Sequence, residues 1–348
     1  MTSRARASSS AKCSTSSRSA GIQPQSLETG GACSHACAQA VTRREAPAHA
    51  TCSSPLRTSL TARARRARRA HCTCRRYMPT FSPLLKQELE VRSLTMLGAF
   101  LPVKLKDPTK HEAGIKEGLQ LAKLLRSVAS DRHDPVLVLA DENGTDPVRT
   151  KNAGRVTPDM GLSEEEWKSF ADGANRIGKA VFDAYKVRVC FHPHCAGYVE
   201  TPAEVYKFCS LTDPQYVNLT LDGGHVMYGS GHNDPSVLHE YLTKVGDRIK
   251  YVHCKDCEPD VAAQARKSGW DYFEAIKHGV FCELGQGCVD FKAIVTWQAQ
   301  TDYKGWSLVE QDVLPGMGAP KVCAQKNIDY LRKVYEDAAR QAEASGAA

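Results

Sequence analysis

The chain has 348 residues, 46 Lys+Arg against 39 Asp+Glu, 14 cysteines and a formal net charge of +7. Residues 1–77 hold 14 of the basic residues and only two acids, Glu28 and Glu45, a net of +12; residues 78–348 carry a net of −5. An acidic body excludes a basic nucleic-acid-binding globule, and no apolar run approaches the roughly 18 residues of a membrane helix. The 271 residues after the leader are about the size of one large α/β domain.

The leader is rich in Ser, Ala, Arg and Thr, lacks apolar periodicity and ends in a dense basic run, Arg63 to Arg76. Arg- and Ser-rich, acid-poor composition without a compact apolar stretch is the signature of an organellar transit peptide. On that reading the protein is addressed to a chloroplast or mitochondrion; on the alternative, a disordered tail, it is cytoplasmic. Cys33, His35, Cys37, His71, Cys72 and Cys74 offer zinc-type side chains, but C-x3-C and C-x-C are not a matched pair of knuckles. Cys254 and Cys257 have C-x-x-C spacing without a thioredoxin-like context, so reduced thiols are expected there.

From Met78 the pattern changes. Pro83–Arg92 reads as a helix, 94–100 (LTMLGAF) as a buried strand and Thr109–Ser130 as an amphipathic helix. Val136–Ala140 (VLVLA) is a short apolar strand. Ser163–Tyr185 is helical, with Ser163 and Glu166 spaced as a capping box. Strand 187–191 (VRVCF) and helix 202–209 follow, then strand 217–221 (VNLTL) and helix 237–245. Strand 249–252 (IKYV), helix 291–300, strand 306–309 (WSLV) and helix 327–344 complete the chain. Apolar runs alternating with helices predict βαβ units and a parallel sheet.

The chemistry-bearing residues fall just after these strands. His192 and His194 follow one, Asp222 and His225 the next, His253, Lys255 and Asp256 the third, Glu310 and Asp312 the last. Polar residues converging from successive strand C-termini are how a (β/α)8 barrel builds its site, and a doubly wound sheet would not usually gather them so. Glu200, Asp222, His253 and Glu310 form a candidate ligand set of three carboxylates and one imidazole. Such a set suits Mn2+ or Co2+, with Mg2+ as an alternative, better than a thiolate-type zinc site. His194 and His225 are candidates for substrate contact, as is Asp312; Lys255 either orients substrate oxygens or pairs with Asp256. His232, His239 and His278 are expected at the surface.

The segments HPHCAGYVET, LDGGH, YVHCKD, GVFCELGQGCVDF and YKGWSLVEQD resemble the metal-dependent xylose isomerase-like TIM-barrel superfamily, and within it the inosose dehydratases. The resemblance covers about Pro83 to Ala338. It implies metal ligands at Glu200, Asp222, His253 and Glu310, and a small polyol or keto-sugar substrate, with no nucleic acid, no membrane and a homo-oligomer as one open arrangement. The epimerases of this superfamily carry an Arg six residues after the ligand His, where this chain has Pro259. The resemblance also implies that only barrel strands three to eight are present, the first two βα units being missing and the space before Pro83 taken by the leader.

The activity so implied is a hydro-lyase acting on a cyclic polyol ketone. Glu310 or Glu200 would take the α-proton, and His225, His194 or Lys255 would help the β-hydroxyl depart. The alternatives are a ketose or hydroxypyruvate isomerase or epimerase using the same residues, and a non-catalytic remnant of such a barrel.

Overall fold

The computed structural model describes residues 41–42, 70–73, 79–129 and 133–344. Its centre is a run of six parallel strands: β3 (Thr95–Pro102), β4 (Val136–Ala140), β5 (Arg188–Phe191), β6 (Val217–Asp222), β7 (Ile249–Cys254) and β8 (Trp306–Val309), each hydrogen-bonded to the next. Two short strands from the leader extend this sheet to eight. β2 (Ala70–Thr73) pairs parallel with β3, and β1 (Val41–Thr42) pairs antiparallel with β8. Neither is an apolar run, and the sequence reading expects no strand there. The remainder of the proposed transit peptide and most of the leader's Cys/His set lie outside the described residues, as do the side chains of β1 and β2.

The helices expected from the sequence are present as α1 (Ser82–Val91), α2 (His111–Val128), α4 (Glu164–Tyr185), α5 (Pro202–Leu211), α7 (Ser236–Val245), α10 (Phe291–Gln300) and α11 (Pro320–Ala344). Four more were not anticipated: α3 (Pro147–Lys151), α6 (Gly223–Gly229), α8 (Pro259–Ser268) and α9 (Tyr272–Lys277). All four lie after strand C-termini, where they shape the rim of the site. Pro259, the departure from the epimerase pattern, opens α8. Among the described residues no helix is long and apolar enough to cross a membrane.

β4 shows why the strands read as continuous apolar runs. All five of its residues are buried. Leu137 and Leu139 face the helix layer, while Val136 and Val138 pack on the other face with Leu97, Cys190, Tyr251 and Leu308. A parallel strand covered on both faces loses the polar alternation of a one-sided sheet. On the helix side, α4 presents Trp167, Phe170, Ala174, Ile177 and Val181 at helical spacing. Its start is fixed by the expected capping box, Ser163 accepting from the Glu166 amide and Glu166 returning to the Ser163 amide.

One aromatic cluster ties this scaffold to the site. Phe191, the last residue of β5, packs against Phe208 of α5 at 4.3 Å between ring centroids and against Phe170 of α4 at 5.9 Å. All three are buried. Phe208→Ala removes the ring that holds α5 on β5 and should lower unfolding free energy by about 3–5 kcal/mol. Urea unfolding followed by circular dichroism measures this; a loss below about 1 kcal/mol would show that the cluster does not anchor the helix.

Candidate functional site

Each strand end contributes the residue that completes or directly follows it. His192 follows β5, Asp222 ends β6, His253 is the penultimate residue of β7, and Glu310 follows β8. Register carries them to one place: Asp222 pairs with His253 across β6 and β7, and the Glu310 amide donates to the Cys254 carbonyl. One ligand-type atom from each of the four lies within 4.8 Å of the others, and all four residues are buried. His192 Nε2 is 3.1 Å from His253 Nδ1, which is 2.6 Å from Glu310 Oε2; Asp222 Oδ2 is 3.7 and 3.9 Å from the two imidazole nitrogens.

Three of the four expected ligands are therefore together, and the fourth position is His192. Glu200 stands apart from the cluster, eight residues further along the β5 loop. Its carboxylate accepts the Gly154 and Ala196 amides at 2.6 and 2.7 Å. Burial pushes its pKa up to about 7, against the pull of Arg149 and of these two donors. In this place Glu200 fastens the loop between β5 and α5 to the segment after α3. The signal for His192 was present in the sequence: like Asp222, His253 and Glu310, it sits at the very end of its apolar run.

Beside the cluster lies a second set of charges. Lys255 is fully buried, and its Nζ is 3.0 Å from Glu310 Oε1 and 3.1 Å from Asp312 Oδ2. Burial opposes its charge, but Asp312 and Glu310 hold its pKa well above the ordinary lysine value. Burial likewise opposes ionisation of Glu310, yet Lys255 and His253 keep its carboxyl well below the usual range. The alternative pairing of Lys255 with Asp256 does not occur. Asp256 instead accepts four backbone amides, from Cys257, Gly285, Gly287 and Val289, at 2.8–3.0 Å. That bond set folds the segment 285–289 against the end of β7. Gly287 is required there, because a Cβ would come 2.3 Å from the Cys257 carbonyl.

His225 and His194 pack at 3.9 Å between ring centroids, tilted by 42°, with Tyr272 and Phe281 around them. The Cys195 backbone amide donates to His225 Nδ1 at 3.2 Å. A backbone N–H can only donate, so Nδ1 is the acceptor and Nε2 carries the proton of the neutral ring. Burial, with His194 and Lys255 nearby, holds the His225 pKa well below the usual value. Its Nε2 lies 3.5 Å from Lys255 Nζ. His194 Nδ1 is 2.8 Å from the side-chain nitrogen of Asn143, a residue the sequence reading did not single out. His232, His239 and His278 are exposed, as expected.

The loops that carry these groups are themselves clasped. Arg149, with no exposure, holds Glu204 through two parallel bonds of 2.8 and 2.9 Å and donates Nε to the Gly197 carbonyl at 2.7 Å. Glu204 in turn accepts the Glu200 and Thr201 amides, closing a capping box at the start of α5.

The donor set fits a divalent cation. Asp222 Oδ2 is buried without a hydrogen-bond partner, and two carboxylates and two imidazoles converge on one point. Two nitrogens and two oxygens suit a borderline first-row ion.

The Xylose isomerase-like TIM barrel family matches residues 95–334. The chain belongs to this family, and it is an enzyme. It is 30% identical over 260 residues to inosose dehydratase 2 of Bacillus cereus, covering 73% of this chain and 82% of that one. It is 29% identical over 252 residues to the inosose dehydratase of Geobacillus kaustophilus, covering 72% and 79%. Among solved structures, the IOLI protein with a binding zinc atom superposes with a TM-score of 0.53 at 16% identity, covering 72% of this chain and 80% of that one. L-ribulose 3-epimerase gives a TM-score of 0.53 at 13% identity, covering 84% and 94%. At such identities the structural likeness is one of fold.

The loop chemistry has a pH signature. Asp141, at the end of β4, is buried and accepts the Tyr198 amide at 3.2 Å. Burial raises its pKa from 3.8 to about 6. The folded state thus binds this proton more tightly than the unfolded chain. The stability it contributes is fully present below about pH 4 and is lost as pH rises through about 6. The difference amounts to about 3 kcal/mol at one pKa unit per 1.36 kcal/mol. Asp141→Asn should abolish this component, so that the variant gains on the wild type between pH 4 and 7 in denaturant titrations. A pH-independent difference would rule it out.

Proposed function

We propose that the protein is a divalent-metal-dependent hydro-lyase that removes water from a cyclic polyol ketone, in the manner of an inosose dehydratase. The observation that carries this reading is the buried convergence of His192, Asp222, His253 and Glu310 beside the Lys255–His225 pair. The inosose dehydratase relatives support the substrate class.

In this reading the four converging residues hold the cation, with Mn2+ or Co2+ favoured by the donor set. A bound cation would act as a Lewis acid toward the substrate's carbonyl oxygen. Glu310, kept ionised by Lys255, accepts the proton from the carbon next to that carbonyl. His225 presents Nε2–H to the hydroxyl that departs as water, its tautomer being set by the Cys195 amide. Lys255 and Asp312 hold Glu310 in place and offer polar contacts to ring hydroxyls, and His194 with Asn143 does the same on the opposite side. Tyr272 and Phe281 supply the apolar wall that keeps bulk water from the reacting carbon. Glu200 positions the loop bearing His192 and His194 and takes no part as a ligand.

Two measurements test this. After loading with Mn2+ and gel filtration, wild type and Glu200→Gln should retain one ion per chain by elemental analysis. His192→Ala and Asp222→Asn should bind at least tenfold more weakly. Loss of the ion in Glu200→Gln with retention in His192→Ala would reverse the assignment. Separately, Glu310→Gln should abolish conversion of 2-keto-myo-inositol while circular dichroism stays unchanged. Loss of one water, read by mass spectrometry and by the absorbance of the enolic dione, distinguishes dehydration from epimerisation, which conserves mass.

A further inference from the structure

The segment gathered by Asp256 also brings two cysteines side by side. Cys257 immediately follows Asp256, and Cys288 lies between Gly287 and Val289, whose amides Asp256 holds. The Cys288 amide donates to the Cys257 carbonyl at 2.9 Å. A backbone N–H···O=C bond of this length keeps the two Cα atoms within the roughly 4.4–6.8 Å that a disulfide spans. The two thiols are near enough to perturb each other's ionisation, Cys257 being pushed up and Cys288 down. Both cysteines are free. Cys257 is fully buried, whereas Cys288 is only partly so. A third thiol, Cys282, is free and partly buried in the same loop.

We propose that Cys257 and Cys288 are a reversible dithiol–disulfide pair that locks the segment 285–289 onto the end of β7. The proposal is independent of the reaction carried by the site. The oxidant is a small-molecule disulfide of the glutathione type. The Cys288 thiolate, the less buried of the two, attacks one sulfur of that disulfide and expels one small thiolate. The Cys257 thiolate then attacks Cys288 Sγ and expels the second. The protein loses two thiol protons and two electrons, and the small disulfide is reduced to two thiols. The neighbouring Cys257 thiol lowers the Cys288 pKa, which favours Cys288 as the first nucleophile. Because the backbones are already bonded, closure requires little movement, and a small-molecule thiol reverses it.

The test incubates the reduced full-length protein with oxidised glutathione, alkylates the remaining thiols and maps tryptic peptides without reduction. Cleavage after Lys255, Arg266, Lys277 and Lys292 places Cys257 in one peptide and both Cys282 and Cys288 in another, so variants make the assignment. Wild type and Cys282→Ser should give the linked pair of peptides, and Cys288→Ser should not. Hydrogen exchange at Gly285, Gly287 and Val289 should slow at least tenfold in the linked protein and recover with dithiothreitol. Absence of the linked peptides in wild type, a link that survives Cys288→Ser, or unchanged exchange after linking would overturn the proposal.

Discussion

Lys255 is the constraint around which the site is organised. An ammonium group with no exposure costs several kcal/mol unless its charge is answered. Glu310 and Asp312 answer it from the end of β8, two residues apart and so on the same side of an extended chain. Lys255 is likewise two residues beyond His253. One charge balance thereby fixes the ionisation of Glu310 and, through the nearby positive charge, favours a neutral His225. Gly224 makes room for this lysine, since a Cβ there would meet its Cγ at 2.7 Å. Removing Lys255 would leave two buried carboxylates facing each other beside two more ionisable groups.

Around this centre, buried carboxylates spend their oxygens on backbone amides. Asp256 takes four, Glu200 two, and Glu204 two in addition to Arg149. Loops without regular secondary structure leave such amides without partners, and a buried amide must find one. Ionised acceptors make stronger bonds than neutral ones. The rim of the barrel is therefore held by acids that have the look of ligands in the sequence but serve the chain itself.

That is why the fold was more legible than the site. The six central strands are recovered to within two residues at nearly every boundary, because parallel strands buried on both faces leave unmistakable apolar runs. The long helices follow from their spacing and, at Ser163, from its cap. Three of the four rim helices escaped because they are only five to seven residues long, too short to show a helical period, and the fourth, α8, because its ten residues PDVAAQARKS carry little apolar stripe. Asp222, His253 and Glu310 could be read from strand ends. Glu200, proposed to hold its loop, reads as a ligand because a carboxylate in a ligand-rich loop has no sequence mark separating an amide acceptor from a cation holder. Position relative to the strand end carries that information, and by it His192 is the equivalent residue. The pairing of Lys255 depends on contacts across 55 and 57 residues of chain, which no local pattern reveals.

Asp222 divides its carboxylate between two tasks. Oδ1 accepts the His225 amide at 2.9 Å and so caps α6, while Oδ2 turns toward the imidazoles. α6 is seven residues long and buried throughout, so it has no solvent-facing side on which to slip. His225, the proposed proton donor, rides on its first turn. The positions of His225 and of the Asp222 oxygen that faces the imidazoles are thus two readings of a single torsion angle, the side-chain rotation of Asp222, set by a helix cap.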